Sequence, residues 1–162
     1  MKNLFTGAMV LFLLISACSQ KVDLEVEKAR VKDVVDQITG VLETEDMEQL
    51  SQITANNEDI VIFGTDADER IVGWPDLKKL MQKQFATTET KKISVRDQVI
   101  KLHDSGQVAW FSQRADWQIS IQGKDFQLDG VRISGVLEKR DGRWVNVQLH
   151  YSLPVAGSAV EN

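Results

Sequence analysis

The hydrophobic pattern of this 162-residue chain changes period once, and that change limits the folds open to it. Up to about Thr90 apolar residues recur every three or four positions. Beyond it they alternate through four long segments, about Lys92 to His103, Gln107 to Gln122, Lys124 to Lys139 and Arg143 to Leu153. The separators are Asp104-Ser105-Gly106, Gly123 and Asp141-Gly142. Each has a glycine able to take the positive φ of a hairpin turn, so the strands are expected to form an antiparallel meander. Helices followed by a meander make an α+β fold.

The first helix is expected to begin near Leu24 and run for roughly five turns, because Val31, Val34, Val35, Ile38, Val41 and Leu42 fall on one stripe and Gly40 weakens its end. A second, short helix fits Asp46 as N-cap with Met47, Leu50 and Ile53 on one side, and Asp59 to Phe63 reads as a strand. The third takes Pro75 in its first turn, where a missing N–H does no harm. Its stripe is Leu77, Leu80, Met81, Gln84 and Phe85, with Asp76 early and Lys78, Lys79 and Lys83 later.

Ahead of these elements, Lys2, an apolar run from Leu4 to Ile15 and small residues make the order of a secretory signal. The run is too short to span a bilayer stably. Leu14-Ile15-Ser16-Ala17-Cys18 resembles a lipobox, which implies cleavage after residue 17 and a lipid on Cys18. The expected organisation is a signal peptide over 1–17, a lipidated tether over 18–23, a domain over 24–154 and a flexible tail over 155–162. Acylation uses the one cysteine, so no disulfide and no thiol chemistry is expected. More than one acyl chain gives durable attachment, and Ser19 resembles the outer-membrane sorting signal of Gram-negative lipoproteins.

The formal net charge is −5, and loss of Lys2 with the signal makes it one unit more negative. That balance disfavours nucleic acid and anionic headgroups as partners, so lipid alone is expected to hold the protein at a membrane. No Gly-rich phosphate loop, serine elbow or Cys/His metal set occurs, and no cofactor is expected. Asp66, Asp68 and Glu69 lack the further spaced ligands of a calcium loop and read as a solvated turn, while His103 stands alone beside a turn.

Over residues 24 to 154 the sequence resembles the SnoaL-like families of the nuclear transport factor 2 superfamily. The residues that carry the likeness are Gly64-Thr65-Asp66-Ala67-Asp68-Glu69 with Gly73, and Val131-Arg132-Ile133-Ser134-Gly135-Val136-Leu137 through Asp141-Gly142-Arg143-Trp144 to His150-Tyr151-Ser152. Ser134 stands where that family usually has threonine, and Asn146 and Gln148 are more polar than usual. The resemblance implies a cone: a strongly bent, mainly antiparallel sheet wrapped around about three N-terminal helices, with a pocket. It also implies a homodimer formed by packing sheet faces.

A register with Lys139 opposite Arg143 makes one face of the last hairpin wholly apolar. The other face then pairs Val136 with Asn146, Ser134 with Gln148 and Arg132 with His150. Extending that parity predicts a row Asp97, Gln113, Arg132, His150 on the face shared by Phe111, Trp117, Phe126, Leu128, Val136 and Trp144. That face reads as the pocket lining, apolar with a few convergent polar groups, and Trp74 is placed to overhang its mouth. The opposite face, with Trp110, Val131, Ile133, Leu137, Val145, Val147, Leu149 and Tyr151, is the expected dimer surface.

Three functions fit this arrangement. One is a non-catalytic binder of a small, partly apolar and anionic ligand, with Arg132 as its cation and His150, Gln113, Asp97, Ser134, Gln148, Trp117, Phe111 and Trp74 around it. Another is an enzyme of isomerase or hydrolase type with Asp97 and His150 as acid and base, as ketosteroid isomerase uses a carboxylate in an apolar cone. The last is a dimerisation module whose cavity its own side chains fill. Asp97 beside an arginine is a poor base, and binding is the favoured reading.

Overall fold

The computed structural model describes residues 22–155, so the expected signal, Cys18 and most of the tail lie outside the described residues. Helix α1 spans Leu24–Thr44 and is capped by Asp23, whose carboxylate accepts from the main-chain N–H groups of Glu25 and Val26. It runs past Gly40 and stops at Glu45, in the left-handed region at φ 56°. Asp46 caps α2 (Met47–Ile53) as its spacing predicts. Strands β1 (Val61–Phe63) and β2 (Arg70–Val72) flank a loop, the second being too short for its pattern to announce. Helix α3 (Trp74–Thr87) starts at Gly73, whose φ of 83° favours glycine, with Pro75 in its first turn. No helix among the described residues is long and apolar enough to cross a membrane.

The meander is formed by β3 (Thr88–Leu102), β4 (Val108–Ile121), β5 (Lys124–Arg140) and β6 (Arg143–Ser152). The six strands form one sheet in the order β2-β1-β6-β5-β4-β3, antiparallel throughout except that β1 lies parallel to β6. The sheet curls around the three helices, giving the cone-shaped α+β fold.

The register of the last hairpin departs from expectation. Arg140 faces Arg143 across Asp141-Gly142, where both turn residues have positive φ (50° and 79°), so the turn is two residues long and not three. Lys139 therefore faces Trp144. A bulge at Val147 then shifts the pairing, so that Leu137 faces Asn146, Ser134 faces His150 and Arg132 faces Ser152. Val136 faces Gln148, not Asn146. Asn146 turns inward and is fully buried. With its amide nitrogen turned to them, it donates to the carbonyls of Gln148 (2.9 Å) and Val136 (3.2 Å) beside the bulge.

The aliphatic face of the sheet also lies opposite to expectation, against the helices. Val131, Ile133, Leu137, Val145, Val147 and Leu149 were expected to form an open dimer surface, but all are buried in the core with Val31, Val35, Ile38, Val41 and Leu42 of α1. The physical reason is that three amphipathic helices must bury their stripes somewhere, and the all-aliphatic sheet face is the one that accepts them. Only Trp110 of that expected set lies outward, beside Val136.

Gly40 sits mid-helix, and a methyl group there would meet nothing within 4 Å. Gly40→Ala is therefore expected to raise stability by roughly 0.5–1 kcal/mol, seen as a higher urea midpoint.

Candidate functional site

The inward face of the sheet and the three helices enclose a cavity of about 120 Å³. Its walls are mainly aliphatic: Ile38, Val41 and Leu42 from α1, Leu50 from α2, Leu77, Leu80 and Met81 from α3, and Leu149 from β6. The α3 stripe predicted from spacing supplies one wall. Trp117 and Tyr151 close the sheet side, their rings meeting edge to face with centroids 5.9 Å apart. Polar atoms enter from Thr54, Thr65, Glu69, Gln84 and Tyr151.

Glu69 reaches the cavity because its loop is folded back on itself. Gly64 N donates to the Glu69 carbonyl (2.9 Å) and Glu69 N donates to the Asp66 carbonyl (3.1 Å). A Cβ on Gly64 would lie 1.7 Å from Glu69 Oε2, so glycine leaves the space that the carboxylate fills. Burial first, and the Glu69 charge second, push the Tyr151 hydroxyl well above its ordinary pKa, so it stays protonated and able to donate at neutral pH. Among the described residues, no hydrogen bond joins that hydroxyl to a protein group, and Trp117 Nε1 is buried without a partner. No lysine, arginine or histidine lines the cavity among the described residues. The cavity thus suits a small, mainly apolar guest that can accept a hydrogen bond, and disfavours an anion.

The residues predicted for the site divide between the two faces. Trp117 lines the cavity. Phe111 is core, Gln113 is buried and accepts from Gln98 Nε2 at 3.0 Å, and Trp74 packs half-buried against the core without lining the cavity. Trp144 is also core, its Nε1 donating to Glu27 at 2.8 Å. Arg132, Ser134, Gln148 and His150 alternate with buried Ile133 and Leu149 and so lie on the outer face.

The expected row of Asp97, Gln113, Arg132 and His150 does not form, because β3 and β5 carry bulges, the latter at Asp129-Gly130. Asp97 and Gln98 together oppose Gln113, Asp97 with φ at 54°, and Arg114 takes the place opposite Arg132. Asp97 accepts from Arg114 Nε at 2.7 Å on the outer face. His103 is a turn residue whose Nδ1 meets Ser105 Oγ at 2.8 Å. Sequence reasoning missed Glu69 and Tyr151. The inward face of the last hairpin was the signal for Tyr151, and Gly64 beside an acidic turn was the only one for Glu69.

By sequence, residues 31–156 match the SnoaL-like domain family. No curated protein matches the chain. Solved structures match it in fold. A nuclear transport factor 2 (NTF2-like) superfamily protein from Salmonella enterica serovar Typhimurium superposes with a TM-score of 0.71 at 16% identity, covering 85% of this chain and 98% of that one. A ketosteroid isomerase-like protein from Erwinia carotovora atroseptica gives 0.67 at 16% identity, with 80% and 98% covered. An NTF2-like protein from Cytophaga hutchinsonii gives 0.66 at 11% identity, with 82% and 99% covered.

Proposed function

Because the chain belongs to the SnoaL-like domain family, we propose that it is a binding protein which holds a small, mainly apolar, uncharged molecule in the cavity between its helices and sheet. The observation that carries this reading is the cavity itself: aliphatic walls, no lining cation, and a protonated Tyr151 hydroxyl beside Trp117. An apolar cavity on the order of 150 Å³ takes a benzene-sized guest, which sets the scale. The anionic ligand suggested by Arg132 has no counter-charge in this cavity, which argues against an anion there, and the mainly aliphatic walls favour a neutral guest. Asp97 and His150 are not among the lining residues, so an acid and base pair acting on a cavity-bound guest has no support in the geometry.

Leu80 is half-buried at the cavity wall, where a larger side chain fills space without entering the fully buried core. In saturation-transfer NMR, toluene is expected to receive saturation from the wild type and not from Leu80→Trp, while benzoate receives little from either. Equal toluene signals from a folded Leu80→Trp variant would count against the cavity as the binding site.

The reading includes export and a lipid on Cys18, supported by the lipobox-like Leu14-Ile15-Ser16-Ala17-Cys18. Labelled palmitate fed to the cells is expected to label the wild type and not Cys18→Ser, and equal labelling of the two would contradict a lipid on Cys18.

A further inference from the structure

The outer face of the sheet holds a second recess, of about 270 Å³, lined by Arg132, Arg114, His150 and the serines Ser112, Ser134 and Ser152. The register places these residues side by side on three adjacent strands. Ser134 lies between Ser112 of β4 and His150 of β6, and Arg132 lies between Arg114 and Ser152. Because the positions belong to strands and not to loops, their spacing is held by the ladder. His150 is oriented further by Phe63, whose ring meets it edge to face with centroids 6.0 Å apart.

Most of these groups are unengaged. Arg114 is paired with Asp97, which also lines the recess and offsets one cation. Among the described residues no hydrogen bond or ion pair within the protein ends on the side chain of Arg132, His150, Ser112, Ser134 or Ser152. Arg132 is therefore an uncompensated positive charge at the centre of a recess ringed by hydroxyl donors, on a chain whose net charge is −5. An acidic protein that gathers free donors around one unpaired guanidinium is arranged for an anion. The number of donors also matters. A planar carboxylate has two oxygens for Arg132 to bridge, whereas three serine hydroxyls, an imidazole and the guanidinium suit the larger acceptor set of a tetrahedral oxyanion.

We propose that this recess is a binding site for a tetrahedral oxyanion of the phosphate class, separate from the cavity between helices and sheet. The site does not depend on the cavity reading, since none of its side chains lines that cavity.

The test is titration of the full chain with inorganic phosphate, followed by amide shifts in NMR, with acetate and chloride at matched ionic strength as comparisons. Phosphate is expected to move the resonances of Arg132, Ser134, His150 and Ser152 together. Arg132→Gln is expected to weaken binding on the order of tenfold to a hundredfold, and Ser134→Ala about two- to tenfold. Arg143→Gln, which removes an exposed cation at the β5–β6 turn, should leave the affinity unchanged. Leu80→Trp should leave it unchanged as well, which separates this site from the cavity. Shifts spread over all basic residues, equal loss with Arg143→Gln, or acetate binding as tightly as phosphate would each overturn the assignment. Arg132 is exposed, so a folded Arg132→Gln protein is expected, and an unaltered melting temperature confirms that lost binding is not lost structure.

Discussion

Replacing Glu27 with alanine is expected to destabilise the fold by about 3–5 kcal/mol, the usual effect of removing one partner of a buried ion pair. Glu27 lies in the first turn of α1 and is 5% exposed, yet its carboxylate is held by three donors. Lys139 Nζ from β5 and Trp144 Nε1 from β6 each approach Oε2 at 2.8 Å, and Arg30 Nη1 meets Oε1 at 2.7 Å. One acidic side chain thereby ties the start of the first helix to β5 and β6. Alanine leaves Lys139, itself only 16% exposed at its side chain, without its counter-charge, and leaves Trp144 Nε1 without an acceptor. Glutamine, which keeps an acceptor for the indole but not the charge, should fall between alanine and wild type. Urea unfolding of the three proteins at neutral pH checks this, and a Glu27→Ala change of less than about 1 kcal/mol would contradict the clamp.

The same cluster gives stability a pH dependence. The hydrogen bond from Lys139, then that from Trp144, outweigh the effect of burial and hold the Glu27 carboxyl below its ordinary pKa. A group whose folded pKa is depressed stabilises the native state at pH values above its unfolded pKa, near 4.3 for glutamate, and loses that contribution as pH falls through the folded value. The gap between wild type and Glu27→Gln should therefore be full at pH 7 and shrink below about pH 4. A gap that grows on acidification would refute the assignment.

Gly135→Val is expected to cost about 3 kcal/mol or more, because even a single added carbon meets three hard neighbours. An ideal Cβ there would lie 2.6 Å from the Gln148 carbonyl oxygen, 2.7 Å from Phe111 Cε1 and 2.8 Å from Leu149 Cδ2. Of these, the carbonyl belongs to the bulged stretch of β6 and cannot swing aside as a side-chain end does. Phe111 and Leu149 are both core residues, so accommodation spreads into packed interior. Gly135 has an ordinary negative φ, so the cost arises from close approach and not from backbone conformation. Gly135→Ala should already lose more than 1 kcal/mol, opposite in sign to Gly40→Ala. A Gly135→Val protein with a wild-type urea midpoint would show that β4, β5 and β6 are less tightly apposed than described.

The period switch, the Asp46 cap, Pro75 and the glycine turns made the element order and the α+β class legible in the sequence. These are local signals, set by a few neighbouring residues. Strand β2 was not legible, since Arg70, Ile71 and Val72 are too few to show alternation. Nor was the register. The Asp141-Gly142 turn and the Val147 bulge are each shifts of one residue, and together they move Arg132 from His150 to Ser152 while keeping Ser134, Arg132 and His150 on one face.

The site suffered from a different ambiguity. Parity kept Arg132, Ser134 and His150 apart from Ile133 and Leu149, but the bulges put Phe111, Gln113, Trp117, Trp144 and Asn146 on the inner side and not with them, and parity does not say which face meets the helices. Convergent polar groups on Arg132, Ser134 and His150 resembled a pocket lining, whereas packing of the α1 stripe against Ile133 and Leu149 decided the matter. Glu69 enters the cavity through a turn and Tyr151 through the strand beside it, a meeting of residues 82 positions apart that only the closed sheet creates.

The most direct test of the cavity as a binding site is a native mass spectrum of the protein purified gently from its own host, compared with the Leu80→Trp variant handled identically. The account predicts a small, uncharged adduct on the wild type that the folded variant lacks. A wild-type protein that carries no adduct and takes up none of a panel of neutral single-ring compounds, or an adduct retained in full by Leu80→Trp, would contradict it.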